Sequence, residues 1–196
     1  FFCEKYSCFT NIIPMKIIWL SILIYIVILG AFSLLRHVNF QTQTWDLAAF
    51  VQTLWNTTQG RIMFNNLEEV NNHLGVHMSP FLFLLVPFYY VFPSVYLLLI
   101  FQTIALALGA WPLYLIAKKV LENEKLARIF AVGYLFYPSL HWINLFDFHE
   151  IAFLPVFLFW AVYFSFEKKF GWAGLFFALA ASTKEDAILI SAFTAL

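Results

Sequence analysis

Charged residues are scarce in this chain: Asp, Glu, Lys and Arg make up only 11% of its 196 residues, whereas 63% are hydrophobic. A soluble domain carries about 25% charged residues. The composition therefore excludes a soluble globular protein and predicts an integral membrane protein in a lipid bilayer. The formal net charge is zero. Nothing indicates a nucleic-acid partner, because such proteins present a strongly basic surface.

Cysteines and the common catalytic motifs are also nearly absent. The two cysteines, Cys3 and Cys8, are weak evidence for a disulfide or a metal site. The sequence has no glycine-rich phosphate loop, no zinc-protease helix and no nucleophile elbow. The enzyme classes that depend on these motifs are not indicated.

Long apolar runs are what the sequence contains instead. Residues 17–35 form a mostly apolar stretch, and a helix of this length is about 28 Å long, enough to cross a bilayer core. Further spans are predicted at about 94–117, 127–145, 151–166, 170–183 and from 187 onward. These runs predict an all-α integral membrane protein built as a polytopic helical bundle.

A polar outer loop over residues 36–78 separates the first two predicted spans. Leu47, Phe50, Val51, Leu54 and Trp55 form one apolar stripe at helical spacing. The stripe predicts an interfacial helix over about 45–59, and a second surface helix is predicted over about 79–92. We expect residues 1–196 to be a single transmembrane domain, the N-terminal fragment of a longer protein.

The positions of Lys and Arg predict how the spans are oriented, because cytoplasmic loops carry an excess of both. With one crossing in the apolar stretch 78–117, only Arg36, Arg61 and Lys184 of the 11 basic residues lie outside. Two crossings would leave only three basic residues inside and place eight outside. The sequence therefore predicts a multi-pass protein of the cell membrane, with a cytoplasmic N-terminus and extracytoplasmic polar islands.

Two such polar islands interrupt the apolar sequence: Asp147-Phe148-His149-Glu150 and Lys184-Glu185-Asp186. Ionisable groups beside membrane spans are energetically expensive and indicate functional sites. The first island offers two carboxylates and an imidazole, which suit a divalent cation such as magnesium or manganese. The alternative is a helix-end cluster, in which Asp147 caps the helix that Glu150 begins.

Asp46 and Lys184 add a carboxylate and a cation on the same predicted side. Asp46 lies in the first turn of the predicted helix 45–59, where a carboxylate is favoured by the helix dipole even if it binds nothing. Lys184 can attract a phosphate as a point charge. Its alternatives are an ion pair with Glu185 or Asp186 and snorkelling to the interface.

Many short motifs occur in an order that resembles the membrane family catalogued as domain of unknown function 2079. The motifs are Thr44-Trp45-Asp46-Leu47, Gln52-x-Leu54-Trp55-Asn56-Thr57, Gly60-Arg61, Gly75-Val76-His77-Met78-Ser79-Pro80, Pro93-Ser94, Leu98 to Gln102, Tyr134-x-x-Tyr137-Pro138 and the two islands. The resemblance covers the chain from about Phe40 to Ala187.

The layout of these motifs is similar to that of the GT-C membrane glycosyltransferases, such as protein mannosyltransferases and lipid A aminoarabinose transferases. The resemblance implies that Asp46 is the catalytic base on the acceptor, or a metal ligand. It implies that His77, Asp147 and Lys184 hold a metal or the phosphate of a polyprenyl-phosphate sugar donor. With the chemistry of the first island, this makes His77 and Lys184 candidates for the donor phosphate. The candidates for a magnesium or manganese ion are Asp147, His149 and Glu150, although the resemblance gives no role to His149. Glu185 and Asp186 are further candidates.

The chain departs from the GT-C pattern at two places. His77-Met78-Ser79-Pro80 stands where those enzymes have a His-Pro-Pro segment, and a His-Glu pair follows Asp147.

Two other functions stay open at this point. A transporter or flippase would use charged groups along a pathway, and transporters are typically built from repeats, of which the sequence shows none that is convincing. A non-catalytic membrane protein would leave the islands scattered. A glycosyltransferase predicts that Asp46, the first island and Lys184 converge.

Overall fold

The computed structural model describes residues 4–195, and the side chains of residues 15–43 and 45–195. Cys3 and the side chain of Cys8 lie outside this part. The described residues form ten α-helices and two 3-10 helices, His73–Gly75 and Glu150–Phe153, and contain no β-strand. The α-helices are α1 (Glu4–Val38), α2 (Thr44–Thr58), α3 (Leu82–Val91), α4 (Val95–Leu108), α5 (Ala110–Leu121), α6 (Glu124–Leu135), α7 (Pro138–Phe146), α8 (Leu154–Phe166), α9 (Phe170–Ala181) and α10 (Glu185–Ala195).

Three helical stretches are long and apolar enough to cross a membrane: Met15–Val38, Val95–Leu121 and Glu124–Phe146. The second combines α4 and α5, and the third combines α6 and α7. Further apolar helices at Leu82–Val91, Glu150–Phe166 and Phe170–Ala181 are shorter. The prediction of an all-helical membrane protein is confirmed, whereas the number of crossings and their orientation stay predictions.

Pro93 divides the apolar stretch 78–117. The residue before a proline disfavours the helical conformation, and Phe92 ends α3 with φ −130° and ψ 80°. Ser94 then begins α4 by accepting a hydrogen bond from the Tyr96 N–H. With 10 residues, α3 is about 15 Å long, only half of a bilayer core of about 30 Å. This length favours the one-crossing interpretation.

The two larger apolar clusters of the core meet at α4, and a small third cluster joins α8, α9 and α10. In the first cluster, the α2 residues Leu47, Phe50 and Leu54 pack with residues of α3 and α4. Most of the predicted stripe of α2 thus faces protein, whereas Trp45 and the last stripe residue, Trp55, are exposed. The second cluster joins α1 to α4 and to the pair α5 and α6. Small buried residues let these two helices approach closely; they are Ala110, Ala117, Ala127 and Ala131.

A hydrogen-bonded link joins α4, α7 and α1 below the first island. Thr103 Oγ1 donates to Asn144 Oδ1 at 2.8 Å, and Asn144 Nδ2 donates to the Leu29 carbonyl at 3.3 Å. Both polar side chains are fully buried. The link fixes the end of α7, and therefore the point at which the first island begins.

Candidate functional site

Gln102 on α4 holds the backbone of the first island. Its Nε2 donates to the Asp147 carbonyl at 2.7 Å and to the Ile143 carbonyl at 3.1 Å, and its Oε1 accepts from the His149 N–H at 2.7 Å. Between these contacts, the fully buried Phe148 ring lies 5.1 Å from the Phe50 ring, centroid to centroid. The island is therefore fixed on both sides of Phe148.

Asp147 and His149 project away from Phe148. Both have extended backbone conformations, with φ and ψ of −162° and −169° at Asp147 and of −141° and 134° at His149. Alternate residues of an extended chain point to the same side. Asp147 Oδ2 accepts the Gln43 N–H at 2.8 Å, which joins the island to the start of α2. Asp147 therefore does not cap the helix that follows it.

Asp147 is a buried carboxyl with a strongly shifted protonation equilibrium. It is 1% exposed, and its Oδ1 has no hydrogen-bond partner within the described residues. Burial raises the pKa of Asp147 to about 6. The Asp46 carboxylate raises this pKa further, whereas the Gln43 N–H and the Arg36 charge lower it. Asp147 therefore changes its charge near neutral pH.

Asp46 and His149 face each other across a small gap. Asp46 Oδ2 lies 3.9 Å from His149 Nε2, too far for a hydrogen bond but close enough for one hydroxyl group to contact both. Burial lowers the pKa of His149; Asp46 raises it, and the charges of Lys184 and His77 lower it. The imidazole is thus neutral at neutral pH.

Glu185 of the second island is bonded to the end of the outer loop. Its Oε1 accepts from His77 Nδ1 at 2.9 Å, and its Oε2 accepts the Met78 N–H at 2.9 Å. The Phe81 N–H also donates to the Ser182 carbonyl at 3.0 Å. These three bonds hold the His77 segment against the junction of α9 and α10.

Lys184 and Glu150 lie on this second side of the site. Glu150 is 1% exposed, and its Oε2 has no hydrogen-bond partner in the described part of the chain. Burial raises the pKa of Glu150, and the charges of Lys184 and His77 lower it. Lys184 forms no ion pair among the described side chains. The lysine is thus available to an anionic group.

The structure brings most of the predicted site residues together, with two exceptions. The charge of Asp46 raises the pKa of His149, and the charges of Lys184 and His77 lower it. The two islands and the outer loop therefore share one region. The first exception is Asp186, which is exposed in the first turn of α10 and whose side chain forms no hydrogen bond or ion pair within the described residues.

The predicted metal ligands are the second exception. Among the described side chains, no group of three or more His, Cys, Asp or Glu residues is placed to hold a metal ion. Asp147 is bonded to Gln43, and the charges that act on Glu150 are those of Lys184, His77 and Glu185. The set Asp147, His149 and Glu150 is thus not assembled in this conformation. The magnesium or manganese site stays a prediction.

A buried hydrogen-bond network beside the site was missed by sequence reasoning. His73 Nδ1 lies 2.8 Å from Glu68 Oε1, and His73 Nε2 lies 2.9 Å from Ser79 Oγ. The order of groups is that of a Glu-His-Ser triad, but Ser79 is fully buried, so its hydroxyl cannot meet a substrate. The network instead fixes the segment that carries His77, whose ring lies 5.9 Å from His73 between centroids.

Gln102 was also missed as a site residue. In the sequence it ends the motif Leu98 to Gln102, and it is a single amide side chain within the apolar run 95–101 and 104–110. An amide in such a helix must find partners in the protein, but the sequence does not show which ones.

The architecture and the site together define a multi-pass integral membrane protein whose polar side chains gather where several helices end. Residues 36–196 match the family described as predicted membrane protein (DUF2079), and the chain belongs to that family. No curated protein and no solved structure matches the chain.

Proposed function

We propose that this protein is a GT-C-like glycosyltransferase that moves a sugar from a polyprenyl phosphate to an acceptor hydroxyl on the extracytoplasmic face. The observation that carries the proposal is the approach of Asp46 to His149 at 3.9 Å. Asp46 comes from the outer loop and His149 from the first island. The island residue Asp147 also contacts Gln43, which lies 104 positions away in the chain. Such a convergence favours a shared site over scattered charges.

The chemistry would be a single inverting displacement. The acceptor oxygen bonds to the anomeric carbon of the sugar while the bond from that carbon to the phosphate oxygen breaks. The acceptor proton goes to Asp46, which is partly exposed and can come within hydrogen-bond reach of a hydroxyl. The neutral His149 gives the same hydroxyl a second contact and orients it.

Lys184 and His77 would receive the phosphate that leaves. Positive groups aimed at developing negative charge lower the barrier of such a step. In its protonated form, His77 donates Nδ1–H to Glu185 and has Nε2–H left for a phosphate oxygen. A magnesium or manganese ion at Asp147, His149 and Glu150 would supply further positive charge, and its binding requires those side chains to turn toward one point.

An apolar cavity that includes Phe81 suits the hydrocarbon chain of the donor. It has a volume of about 410 Å³ and is lined only by apolar side chains, among them Phe81, Phe153 and Trp160. The Phe81 N–H donates a hydrogen bond to the Ser182 carbonyl. Because Ser182 lies two residues before Lys184, this end of the cavity is near the proposed phosphate contact. A transporter is less favoured, because the charges lie at helix ends rather than along a span.

Asp46→Asn tests this function. The full-length protein, purified and reconstituted in vesicles, is incubated with radiolabelled polyprenyl-phosphate sugars, and labelled product is counted. We expect the variant to lose at least about a hundredfold in transfer, as is typical when a general base is removed, with an unchanged melting temperature. Glu69→Gln, an exposed carboxyl of the same loop, is the matched control and should keep full transfer. Full activity of Asp46→Asn would remove Asp46 from the mechanism.

A further inference from the structure

A second apolar cavity lies beside His149. It has a volume of about 340 Å³ and is lined by Trp142, Ile143, Phe146, His149 and Ile151. Ligand cavities span about 300–1,000 Å³, so this one has room for part of a small molecule. His149 is its only polar lining residue, and neither the sequence motifs nor the glycosyltransferase resemblance gives the cavity a role.

The cavity faces the surroundings of the protein rather than its core. Trp142 is 71% exposed, and Phe146 and Ile143 are more than one-third exposed. These residues belong to α7, within the apolar stretch Glu124–Phe146 that is long enough to span a membrane. In a bilayer, the cavity is therefore open to lipid.

His149 connects this lipid-facing cavity to the proposed base. Its ring packs against Phe146 with centroids 5.4 Å apart and against Phe50 at 5.9 Å. Its Nε2 lies 3.9 Å from Asp46 Oδ2. A molecule whose chain lies in the cavity would thus place its head group at the gap between His149 and Asp46.

The charges around that gap favour a neutral head group. The Asp46 carboxylate borders the gap directly, with its Oδ2 3.9 Å from His149 Nε2. An anionic head group would be repelled by this carboxylate. A hydroxyl, in contrast, can donate its proton toward Asp46 while it contacts His149. The two sides of the site therefore differ in charge. The Asp46 carboxylate lies on the side of the lipid-facing cavity, and the proposed phosphate contacts Lys184 and His77 lie on the other side.

We propose that the acceptor of the transferred sugar is a bilayer lipid with a neutral, hydroxylated head group, held in the cavity formed by Trp142, Ile143, Phe146, His149 and Ile151. This inference rests on the proposed glycosyltransferase function and names its second substrate. The lipid hydroxyl oxygen bonds to the anomeric carbon, the bond to the donor phosphate breaks, and the hydroxyl proton passes to Asp46. The products are a glycolipid and a polyprenyl phosphate.

Photo-crosslinking tests the lipid site without relying on catalysis. The full-length protein is reconstituted in phosphatidylcholine vesicles that contain diacylglycerol with a diazirine on one acyl chain. A phosphatidylcholine probe with the same diazirine chain is the head-group control. After irradiation, labelled peptides are identified by mass spectrometry. We expect the diacylglycerol probe to label residues 142–151, and excess unlabelled diacylglycerol to reduce this labelling at least tenfold.

A matched pair of variants locates the label. Ile151→Trp fills the cavity and should reduce the competed labelling at least tenfold. Ile129→Trp adds the same ring at an exposed position of α6 that does not line the cavity, and should leave labelling unchanged. Melting temperatures of both variants show whether they are folded.

The outcomes separate the two proposals. Competed diacylglycerol labelling without any sugar transfer would support the lipid site and overturn the glycosyltransferase function. Sugar transfer to a soluble acceptor, with equal and uncompeted labelling by both probes, would support the function and overturn the lipid acceptor. Transfer of labelled sugar to diacylglycerol, lost in Ile151→Trp, would support both.

Discussion

Asp147 links the protonation of the site to the stability of the fold. Its pKa is raised from 3.8 to about 6, chiefly by burial, so the folded protein binds this proton more tightly than the unfolded chain does. The stabilisation by the proton is fully present below the unfolded pKa and is lost as the pH rises through the folded value. Above about pH 6, the charged carboxylate therefore weakens the fold.

Asp147→Asn should remove this pH dependence. The amide oxygen can still accept the Gln43 N–H, but it carries no charge. We expect the variant to be more stable than the wild type at pH 8, by no more than about 3 kcal/mol since each pKa unit corresponds to about 1.4 kcal/mol, and equally stable below pH 4. Thermal unfolding in detergent from pH 4 to pH 8 measures the difference. A constant difference at all pH values would contradict the assignment to Asp147.

The sequence identified which side chains of the first island are ionisable, but not where each one points. Asp147 and Glu150 are close neighbours in the chain, and their shared role as metal ligands followed from that closeness. Extended backbone at Asp147 places its carboxyl at Gln43, while Glu150 begins a 3-10 helix on the side of Lys184. The direction depends on how Gln102 fixes the backbone between them, a contact across 45 positions that no local pattern shows.

At the scale of elements, Gln102 is the main connection between α4 and the first island. Gln102→Leu keeps the volume of the side chain but removes both hydrogen bonds to the island and those to the end of α7. It leaves the His149 N–H and the Asp147 carbonyl unpaired in a buried region. We expect a loss of about 2–4 kcal/mol in the free energy of unfolding, because each unpaired buried group costs about 1–3 kcal/mol.

Chemical unfolding in mild detergent measures the loss for Gln102→Leu. Gln41→Leu, an exposed position between α1 and α2, is the matched control and should change stability by less than about 0.5 kcal/mol. Equal stability of the two variants would show that Gln102 does not hold the island.

Gly109, where α4 meets α5, should tolerate no side chain. A Cβ there would lie 2.5 Å from Tyr134 Oη, and that hydroxyl donates to the Leu106 carbonyl at 2.9 Å. Gly109→Ala must therefore displace the Tyr134 ring and break the bond, at an expected cost of about 1–3 kcal/mol. Gly133→Ala, on the same pair of packed helices, has no described atom within 4 Å of the new Cβ. It should be neutral or stabilising by up to about 1 kcal/mol. Melting temperatures of the two variants test the contrast, and equal values would contradict it.

Helix positions were more accessible to sequence reasoning than helix contacts. Apolar runs and prolines mark the ends of elements locally, as Pro93 does between α3 and α4. The partner of an apolar face is not encoded locally. The stripe of α2 predicts an interfacial helix, but it does not show that Leu47, Phe50 and Leu54 pack in the protein core.

At the scale of the whole molecule, the predicted orientation can be tested with single cysteines. In a background with Cys3 and Cys8 replaced by Ser, we expect Asn39→Cys to react with a membrane-impermeant maleimide added to intact cells. Glu122→Cys, in the loop between α5 and α6, should react only after the cells are opened. Both positions are exposed. Labelling of both from the same side would contradict a single crossing by α4 and α5.

The apolar composition predicts a membrane protein. In the structure, many large apolar side chains are exposed, as is typical of a surface that contacts lipid. The candidate site could be predicted only as a set of residues on one side of the membrane. That Asp46 meets His149 while His77 meets Glu185 depends on the packing of α2, α4 and α9, and therefore on the complete fold.

The bonds between the outer loop and the second island set an order of events during synthesis. A chain leaves the ribosome from its N-terminus, so the loop that carries His77, Met78 and Phe81 is made well before its partners Ser182 and Glu185. His77 and Glu185 are 108 positions apart. A nascent chain that ends before Lys184 contains Asp46 and the whole first island, yet its loop is open on one side. The site is thus completed only after the end of α9 and the start of α10 have been made and have reached the loop.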